Sequence, residues 1–153
     1  MRPGGRALVL FCATGAGAGY APLMPGTAGA AVGIILYLLI AGCPLVMYLC
    51  IAVAATAAGV WLSGAAARLL GKNDPPQVVI DEICGMLVTL AGLPVSLQTG
   101  AAGFLLFRLF DVLKPFPANW INDRMHNGAG IVLDDIVAGV YANLLLQAVC
   151  RLL

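Results

Sequence analysis

Acidic side chains are the most informative chemical groups in this sequence, because they are few and stand close to long apolar segments. The chain of 153 residues contains seven of them: Asp74, Asp81, Glu82, Asp111, Asp123, Asp134 and Asp135. An ionised carboxylate is costly near a lipid bilayer and usually marks an ion or substrate path there. Five of the seven lie within a few residues of the end of a hydrophobic segment. This pattern predicts one shared site for a divalent cation and an anionic group.

Two basic residues flank an acidic one near the end of one of these segments, in the order Arg108, Asp111, Lys114. A spacing of three places these residues along one face of a helix. An acid near the C-terminal end of a helix opposes the helix dipole, whereas acids at the start of a helix, such as Asp81 and Glu82, agree with it. Helix electrostatics therefore does not explain Asp111, and the basic and acidic stripe predicts a functional role.

The last apolar segment carries a polar stripe. Asp135, Gly139, Asn143 and Gln147 follow one another at intervals of four, which places them on one helical face. Polar groups of a membrane helix face the protein interior rather than lipid. We therefore expect this stripe to pack inside a helical bundle. Helix capping explains one of the adjacent acids Asp134 and Asp135, but not the pair.

The residue types point to phosphate chemistry. Carboxylates without soft ligands suit Mg²⁺ or Mn²⁺, because both ions prefer oxygen. Nearby arginine and lysine suit a phosphate group. Thr27 follows Pro25 and Gly26 at the start of an apolar segment, where it is predicted to cap a helix and to contact a phosphate. Together these groups describe metal-assisted phosphoryl chemistry.

Several other phosphate-handling mechanisms lack their residues. No cysteine is followed six positions later by arginine, which excludes a cysteine-dependent phosphatase. The single histidine, His126, cannot supply a site that needs two. The glycine-rich loop that ends in lysine and serine or threonine in nucleotide hydrolases is absent. No basic run indicates nucleic-acid binding.

The composition predicts a polytopic membrane protein. Hydrophobic residues make up 61% of the chain and charged residues 10%, whereas soluble domains have about 45–50% and about 25%. The mean hydropathy is +0.98. A soluble domain of this size leaves much of its surface in water and has no place for so many apolar side chains. We therefore expect several apolar helices that cross a membrane.

Hydrophobic runs of about 17–25 residues locate the helices. We predict about five hydrophobic helices, a short N-terminal helix within Ala7–Tyr20, and a polar loop over Asn119–Gly130. The five hydrophobic segments are Gly26–Gly42, Pro44–Leu70, Val78–Leu93, Leu97–Leu113 and Ile131–Leu153. Basic residues stay on the cytoplasmic side of a membrane, which predicts a cytoplasmic N-terminus. In this topology all seven acids lie at or near the cytoplasmic face.

Four stretches of the sequence together resemble the phosphatidylglycerophosphatase A family of bacterial membrane lipid phosphatases. Each stretch is weak alone, but their order and gaps match the family over roughly residues 14 to 145. In sequence order they are Ala21-Pro22-Leu23-Met24-Pro25-Gly26-Thr27-Ala28-Gly29, Val79-Ile80-Asp81-Glu82-Ile83-Cys84-Gly85-Met86, Phe107-Arg108-Leu109-Phe110-Asp111 with Lys114-Pro115-Phe116-Pro117, and Gly130-Ile131-Val132-Leu133-Asp134-Asp135-Ile136-Val137-Ala138-Gly139.

The resemblance implies hydrolysis of phosphatidylglycerophosphate to phosphatidylglycerol and phosphate with Mg²⁺, at the cytoplasmic face of the bacterial inner membrane. Arg108 and Lys114 are predicted to bind the phosphomonoester, with Thr27 as a further phosphate contact. The resemblance also implies an all-α bundle, a single domain over residues 1–153, with one shared site. The acids that it brings into this site, as metal ligands and catalytic residues, are Asp81, Glu82, Asp111, Asp134 and Asp135. The polar loop departs from the family pattern, which has an acid around Asn122, whereas here Asp123 is next to it. The nucleophile, water or a carboxylate, is left open.

Two alternatives accompany this reading. A CDP-alcohol phosphotransferase is also a metal-dependent helical lipid enzyme, but its Asp-Gly-x-x-Ala-Arg element is absent from the chain. A membrane cation carrier or channel would also use a carboxylate cluster. Carriers place their polar groups near the middle of the bilayer, whereas the acids here stand near the ends of the apolar segments.

Overall fold

The computed structural model describes residues 2–152. These residues form seven α-helices and one short 3₁₀ turn, Ala18–Tyr20, and contain no β-strand, which confirms the all-α prediction. Leu153, the last residue of the final predicted segment, lies outside the described residues. The helices are α1 (Pro3–Ala13), α2 (Pro25–Ile40), α3 (Leu45–Leu70), α4 (Ile80–Thr89), α5 (Leu97–Leu113), α6 (Ala118–Arg124) and α7 (Gly128–Leu152).

The ends of α2, α3 and α5 agree with the predicted segments because local sequence signals set them. Pro25 occupies the first turn of α2, where its missing N–H costs no hydrogen bond. Gly71 ends α3 in a left-handed conformation with φ of 68°. The Ser96 hydroxyl caps α5 by accepting a hydrogen bond from the backbone N–H of Thr99 at 3.1 Å.

The predicted segment Val78–Leu93 is a helix only over Ile80–Thr89. Ten residues span about 15 Å, half of the roughly 30 Å hydrocarbon core of a bilayer. α4 lies in the centre of the bundle, where it packs against α2, α3, α5 and α7. Its apolar composition therefore reflects burial in protein on all sides rather than contact with lipid.

Three other elements differ from the sequence prediction. The polar loop over Asn119–Gly130 contains the seven-residue helix α6. The short N-terminal helix begins before the predicted start, at Pro3, and ends at Ala13, where the chain turns through the 3₁₀ segment toward α2. α7 also begins earlier than predicted, at Gly128, so Asp134 and Asp135 lie about two turns inside it. Helix capping therefore explains neither acid.

Among the described residues, two helices are long and apolar enough to cross a membrane. They are α3, with a mean hydropathy of 2.1, and α7, with 1.6. α2 has 16 residues and α5 has 17, close to the lower limit for a crossing helix. Large apolar side chains on these helices are exposed, among them Leu39, Val46 and Leu105.

The polar stripe of α7 faces the bundle interior, as predicted. Asn143 donates from its side-chain amide to the carbonyl oxygens of Thr89 and Ala91, both at 2.9 Å. Gln147 in turn donates to the Asn143 side-chain oxygen at 2.9 Å. These bonds satisfy carbonyls that the end of α4 leaves free. They hold α4 against α7 and so align the acids that the two helices carry.

Close approach of α4 and α7 depends on glycine. A Cβ atom added to Gly139 would lie 2.5 Å from the carbonyl oxygen of Gly85, and one added to Gly85 would lie 2.9 Å from the carbonyl oxygen of Asp135 on α7. Any larger residue at either position would force the helices apart. The separation between the first turn of α4 and the acids of α7 is therefore set by small residues at the crossing.

Candidate active site

A cavity of about 390 Å³ opens where the starts of α2 and α4, the end of α5 and the first third of α7 meet. Seven of the eight residues predicted from the sequence to form the site line it, and Thr27 does not. The seven are Asp81, Glu82, Arg108, Asp111, Lys114, Asp134 and Asp135. Side chains that are far apart in the sequence thus share one space, at one end of the bundle.

Three of the acids come together closely. Asp81 and Glu82 lie in the first turn of α4, and Asp135 faces them from α7. Each offers one carboxylate oxygen, and the three oxygens lie within 4.8 Å of one another. Asp81 is 8% exposed and Asp135 3% exposed. Glu82 is half-buried. These three carboxylates, the three-acid group, are the core of the candidate site.

Several oxygens of this group have no hydrogen-bond partner. They are Asp81 Oδ1, Glu82 Oε2 and Asp135 Oδ2, and all three are buried. A buried carboxylate without a partner is costly, and like charges this close repel each other. A bound divalent cation would remove both costs. The donor set contains only oxygen, which fits Mg²⁺ or a similar hard cation.

Arg108 connects two helices at this cavity. Its Nη1 atom lies 2.5 Å from Asp111 Oδ2, one turn further along α5, and 3.8 Å from Glu82 Oε1 on α4. The first contact confirms the predicted stripe on one helical face. The second places a guanidinium group directly beside the three-acid group, where an anionic ligand of a bound cation would be held.

Lys114 lies just beyond the end of α5, in a left-handed conformation with φ of 41° that turns the chain away from the helix. Its ammonium group donates a hydrogen bond to Asp134 Oδ2 and lies 3.7 Å from Asp111 Oδ1. Burial lowers the pKa of Lys114, but the hydrogen bond to Asp134 and the surrounding carboxylates outweigh burial and raise it above its usual value. Lys114 is therefore a cation at neutral pH.

The structure divides the five predicted acids into two sets. Asp81, Glu82 and Asp135 form the three-acid group. Asp111 lies between Arg108 and Lys114, and Asp134 is bonded to Lys114. Asp111 and Asp134 therefore lie next to the three-acid group but form ion pairs with Arg108 and Lys114. The sequence alone did not reveal this division, because spacing along the chain does not specify which oxygen meets which nitrogen.

Gly26 lines the cavity and was not predicted. A Cβ atom at Gly26 would overlap the Glu82 carboxylate and lie 2.9 Å from Arg108 Nη1. The absence of a side chain at the start of α2 thus leaves room for the contact between Glu82 and Arg108. The signal in the sequence was the Pro25-Gly26 pair, which is also typical of an ordinary helix start.

The prediction that Thr27 caps α2 is wrong. The N-cap residue is Met24, without a side-chain hydrogen bond, and Thr27 is the third residue of the helix. The helix begins earlier because Pro25 is suited to its first turn. Asp74, which had no predicted role, lines the cavity. Asp123 is exposed on α6 and does not line it.

The comparisons with known proteins agree with these observations. The family model described as phosphatidylglycerophosphatase A matches residues 11–150. Phosphatidylglycerophosphatase A of Escherichia coli K12 is 40% identical over 129 residues, which cover 84% of this chain and 75% of the relative. Phosphatidylglycerophosphatase A of Haemophilus influenzae is 34% identical over 139 residues, with 90% of this chain and 85% of the relative covered.

A third relative has a different name. A Bacteroides thetaiotaomicron protein described as a candidate phosphatidylinositol-3-phosphatase is 35% identical over 152 residues, which cover 94% of each chain. No solved structure matches the chain. The matches favour neither the cation carrier nor the CDP-alcohol phosphotransferase. They confirm the resemblance seen in the four sequence stretches and the prediction of an enzyme that acts on a phosphomonoester. The chain belongs to the phosphatidylglycerophosphatase A family.

Proposed function

We propose that this protein hydrolyses phosphatidylglycerophosphate to phosphatidylglycerol and inorganic phosphate, a step of phospholipid biosynthesis. The names of two relatives support this substrate. The observation that carries the proposal is the convergence of Asp81, Glu82 and Asp135 in a cavity that Arg108 and Lys114 also line. Acids that hold a cation and cations that hold a phosphate are the two parts that phosphoryl chemistry requires.

We assign Mg²⁺ to Asp81, Glu82 and Asp135. The oxygen-only donor set and the three unpartnered buried oxygens support this assignment. When bound, the ion neutralises charge on the phosphate and polarises its phosphorus–oxygen bonds. The wider ligand set, which adds Asp111 and Asp134, remains a prediction from the sequence.

Arg108 and Lys114 are the proposed substrate-binding residues. Charge-assisted hydrogen bonds from guanidinium and ammonium groups suit the oxygens of a phosphomonoester. Asp111 and Asp134 act as positioning residues in this proposal, because they contact the two cations from the side. The contact of Thr27 with substrate also remains a prediction, since Thr27 does not line the cavity.

The reaction breaks the bond between phosphorus and the glycerol oxygen. The attacking oxygen comes from water or from a carboxylate of the cavity. With water, its oxygen becomes part of the released phosphate, and one of its protons ends on the glycerol oxygen. With a carboxylate, an acyl phosphate forms as the glycerol oxygen leaves and takes a proton from solvent, and water then hydrolyses the acyl phosphate to free carboxylate and phosphate. In both routes the cavity residues orient the phosphate toward the attacking oxygen.

Phosphate release from purified protein and phosphatidylglycerophosphate tests the proposal. We expect release that stops with a chelator and resumes when Mg²⁺ is added. Asp81→Asn removes one charge of the three-acid group and is expected to abolish release. Asp123→Asn is the matched control, because Asp123 is exposed on α6 and does not line the cavity. Full activity of Asp81→Asn, or full activity in chelator, contradicts the proposal.

A second substrate is favoured by one observation. The Bacteroides relative covers 94% of both chains, and its name refers to phosphatidylinositol 3-phosphate, which is also a lipid phosphomonoester. The same assay with both lipids, at equal concentration in the same detergent, decides between them. We expect faster release from phosphatidylglycerophosphate. The reverse order would assign the cavity to the inositol lipid.

We further propose a multi-pass protein of the bacterial inner membrane with its active site at the cytoplasmic face. The length of α3 and α7 and the exposed apolar side chains support the membrane location. α2 and α5 complete the set of crossing helices, and α4 is shielded inside it. Basic residues at the cavity end of the bundle support a cytoplasmic orientation.

Single cysteines in a cysteine-free background test this orientation. Asn119→Cys places the thiol on α6 near the cavity end, and Gln98→Cys places it at the opposite end, at the start of α5. Both positions are exposed. With a membrane-impermeant maleimide on intact spheroplasts, we expect labelling of Gln98→Cys alone. Labelling of Asn119→Cys instead would reverse the orientation.

A further inference from the structure

A second cavity, of about 320 Å³, lies between the end of α3 and the start of α7, and its basic side chains are exposed to solvent. Arg68, Lys72 and His126 line it, and no carboxylate does. Arg68 lies in the last turn of α3 and Lys72 lies just beyond Gly71, where the helix has ended, and both side chains line the cavity. His126 comes from the connection between α6 and α7. Basic groups from two distant parts of the sequence therefore share one space.

The fold builds this cavity through a close helix contact. A Cβ atom at Gly128, the first residue of α7, would overlap the carbonyl oxygen of Val60 and lie 2.6 Å from the backbone nitrogen of Gly64. Only glycine allows α7 to begin so close to α3. This approach brings His126, two residues before Gly128, beside the basic end of α3.

The cations of this cavity are not neutralised by protein acids. Within residues 2–152 every ion pair lies in the catalytic cavity, which is the one that Asp81, Glu82 and Asp135 line. None of these ion pairs includes Arg68 or Lys72. A basic residue at the end of α3 agrees with the helix dipole. The dipole does not explain a third protonatable group supplied by another segment. Clustered basic groups that form no ion pair with a protein acid produce a positive potential that attracts anions.

The basic cavity borders the catalytic cavity without merging with it. A cavity of about 30 Å³ lies between them, which is room for about one water molecule. It shares Asn73 and His126 with the basic cavity and Asp74 and Ile131 with the catalytic one. Because α3 is long enough to cross a membrane and ends at Leu70, Arg68 and Lys72 stand where lipid headgroups would lie.

We propose that Arg68, Lys72 and His126 form a second binding site that takes a phosphate group. The phosphate belongs either to the headgroup of an anionic phospholipid or to free inorganic phosphate. A guanidinium group matches phosphate oxygens with paired donors, and basic pockets at a membrane surface bind lipid headgroups. The site does not depend on the proposed reaction, since none of its three basic residues lines the catalytic cavity.

His126 makes a direct test practical, because it is the only histidine in the chain. With histidine labelled with ¹³C only at Cε1, its ring gives a single NMR signal from a side chain that lines this cavity and does not line the catalytic one. The full-length protein is studied with chelator, in nanodiscs of phosphatidylcholine, at constant ionic strength adjusted with chloride. One series adds inorganic phosphate, and the other replaces phosphatidylcholine with phosphatidylglycerol.

We expect a saturable shift of the His126 signal in at least one series, and the responding series identifies the source of the phosphate group. Arg68→Gln and Lys72→Gln are each expected to raise the half-saturating concentration about tenfold. Arg151→Gln is the matched control, because Arg151 is exposed near the opposite end of α7. An unchanged signal in both series overturns the proposal. A response that persists unchanged in Arg68→Gln and in Lys72→Gln also overturns it.

Discussion

Gly26→Ala is the substitution whose effect the site geometry specifies most closely. The added methyl group would overlap the Glu82 carboxylate and lie 2.9 Å from Arg108 Nη1. Ordinary contacts between heavy atoms lie near 3.5–4.0 Å, so the guanidinium must move by at least about 0.6 Å and the carboxylate by at least about 1.3 Å. Both groups are the ends of flexible side chains, and the helix itself can stay in place.

The expected consequence is loss of activity with little loss of stability. A displacement of about 1 Å at a catalytic site costs about 10²-fold in rate, which corresponds to about 2.7 kcal/mol. We therefore expect kcat/KM for phosphate release to fall about 100-fold. The midpoint of thermal unfolding in detergent should change by only a few degrees.

Gly100→Ala provides the control for Gly26→Ala. Gly100 also lies in a helix, and a Cβ atom there meets nothing within 4 Å. The two substitutions are chemically identical and differ in what surrounds the added methyl group. Gly100→Ala is expected to retain full activity. Wild-type activity in Gly26→Ala would refute the idea that the contact between Glu82 and Arg108 is needed for catalysis.

Three further predictions concern other residues of the bundle. Asp135→Asn removes a charge from the three-acid group, so the Mg²⁺ concentration for half-maximal phosphate release should rise about tenfold or more; an unchanged Mg²⁺ curve would exclude Asp135 as a ligand. Lys114→Met leaves the buried Asp134 carboxylate without its cation and should destabilise the protein by about 3 kcal/mol, measured by unfolding in detergent. Loss of activity is expected with it, and Lys114→Arg should restore part of the stability; equal stability of Lys114→Met and wild type would contradict this role. Asn143→Leu leaves two carbonyl oxygens of the bundle unpaired and should cost about 2 kcal/mol of stability. Its KM should stay at the wild-type value, and a large change in KM would show that the stripe acts at the site.

The sequence predicted helix ends well where a capping residue or a proline next to the helix determines them. α5 has the predicted bounds because Ser96 caps its start and Lys114 with Pro115 ends it. The sequence predicted the length of α4 poorly, because a helix buried in protein on all sides is as apolar as a helix in lipid. α6 was missed because a short polar helix has no apolar periodicity to reveal it.

The sequence predicted which residues come together in the candidate site, but it did not predict how they pair. Spacing placed Arg108, Asp111 and Lys114 on one face, and the structure pairs them as expected. Spacing along the sequence gave no information on the partner of each carboxylate, because Lys114 meets Asp134 only through the packing of α5 beside α7. Gly26 was missed because its contribution is the space that its missing side chain leaves.

The proposed chemistry depends on a divalent cation held by Asp81, Glu82 and Asp135. Mn²⁺ can stand in for Mg²⁺, because both prefer oxygen ligands and Mn²⁺ is detected by electron paramagnetic resonance. Titration of the purified protein should show saturable Mn²⁺ binding that Asp123→Asn retains and Asp81→Asn weakens at least tenfold. Equal Mn²⁺ affinity in Asp81→Asn and wild type would contradict cation binding by these three acids.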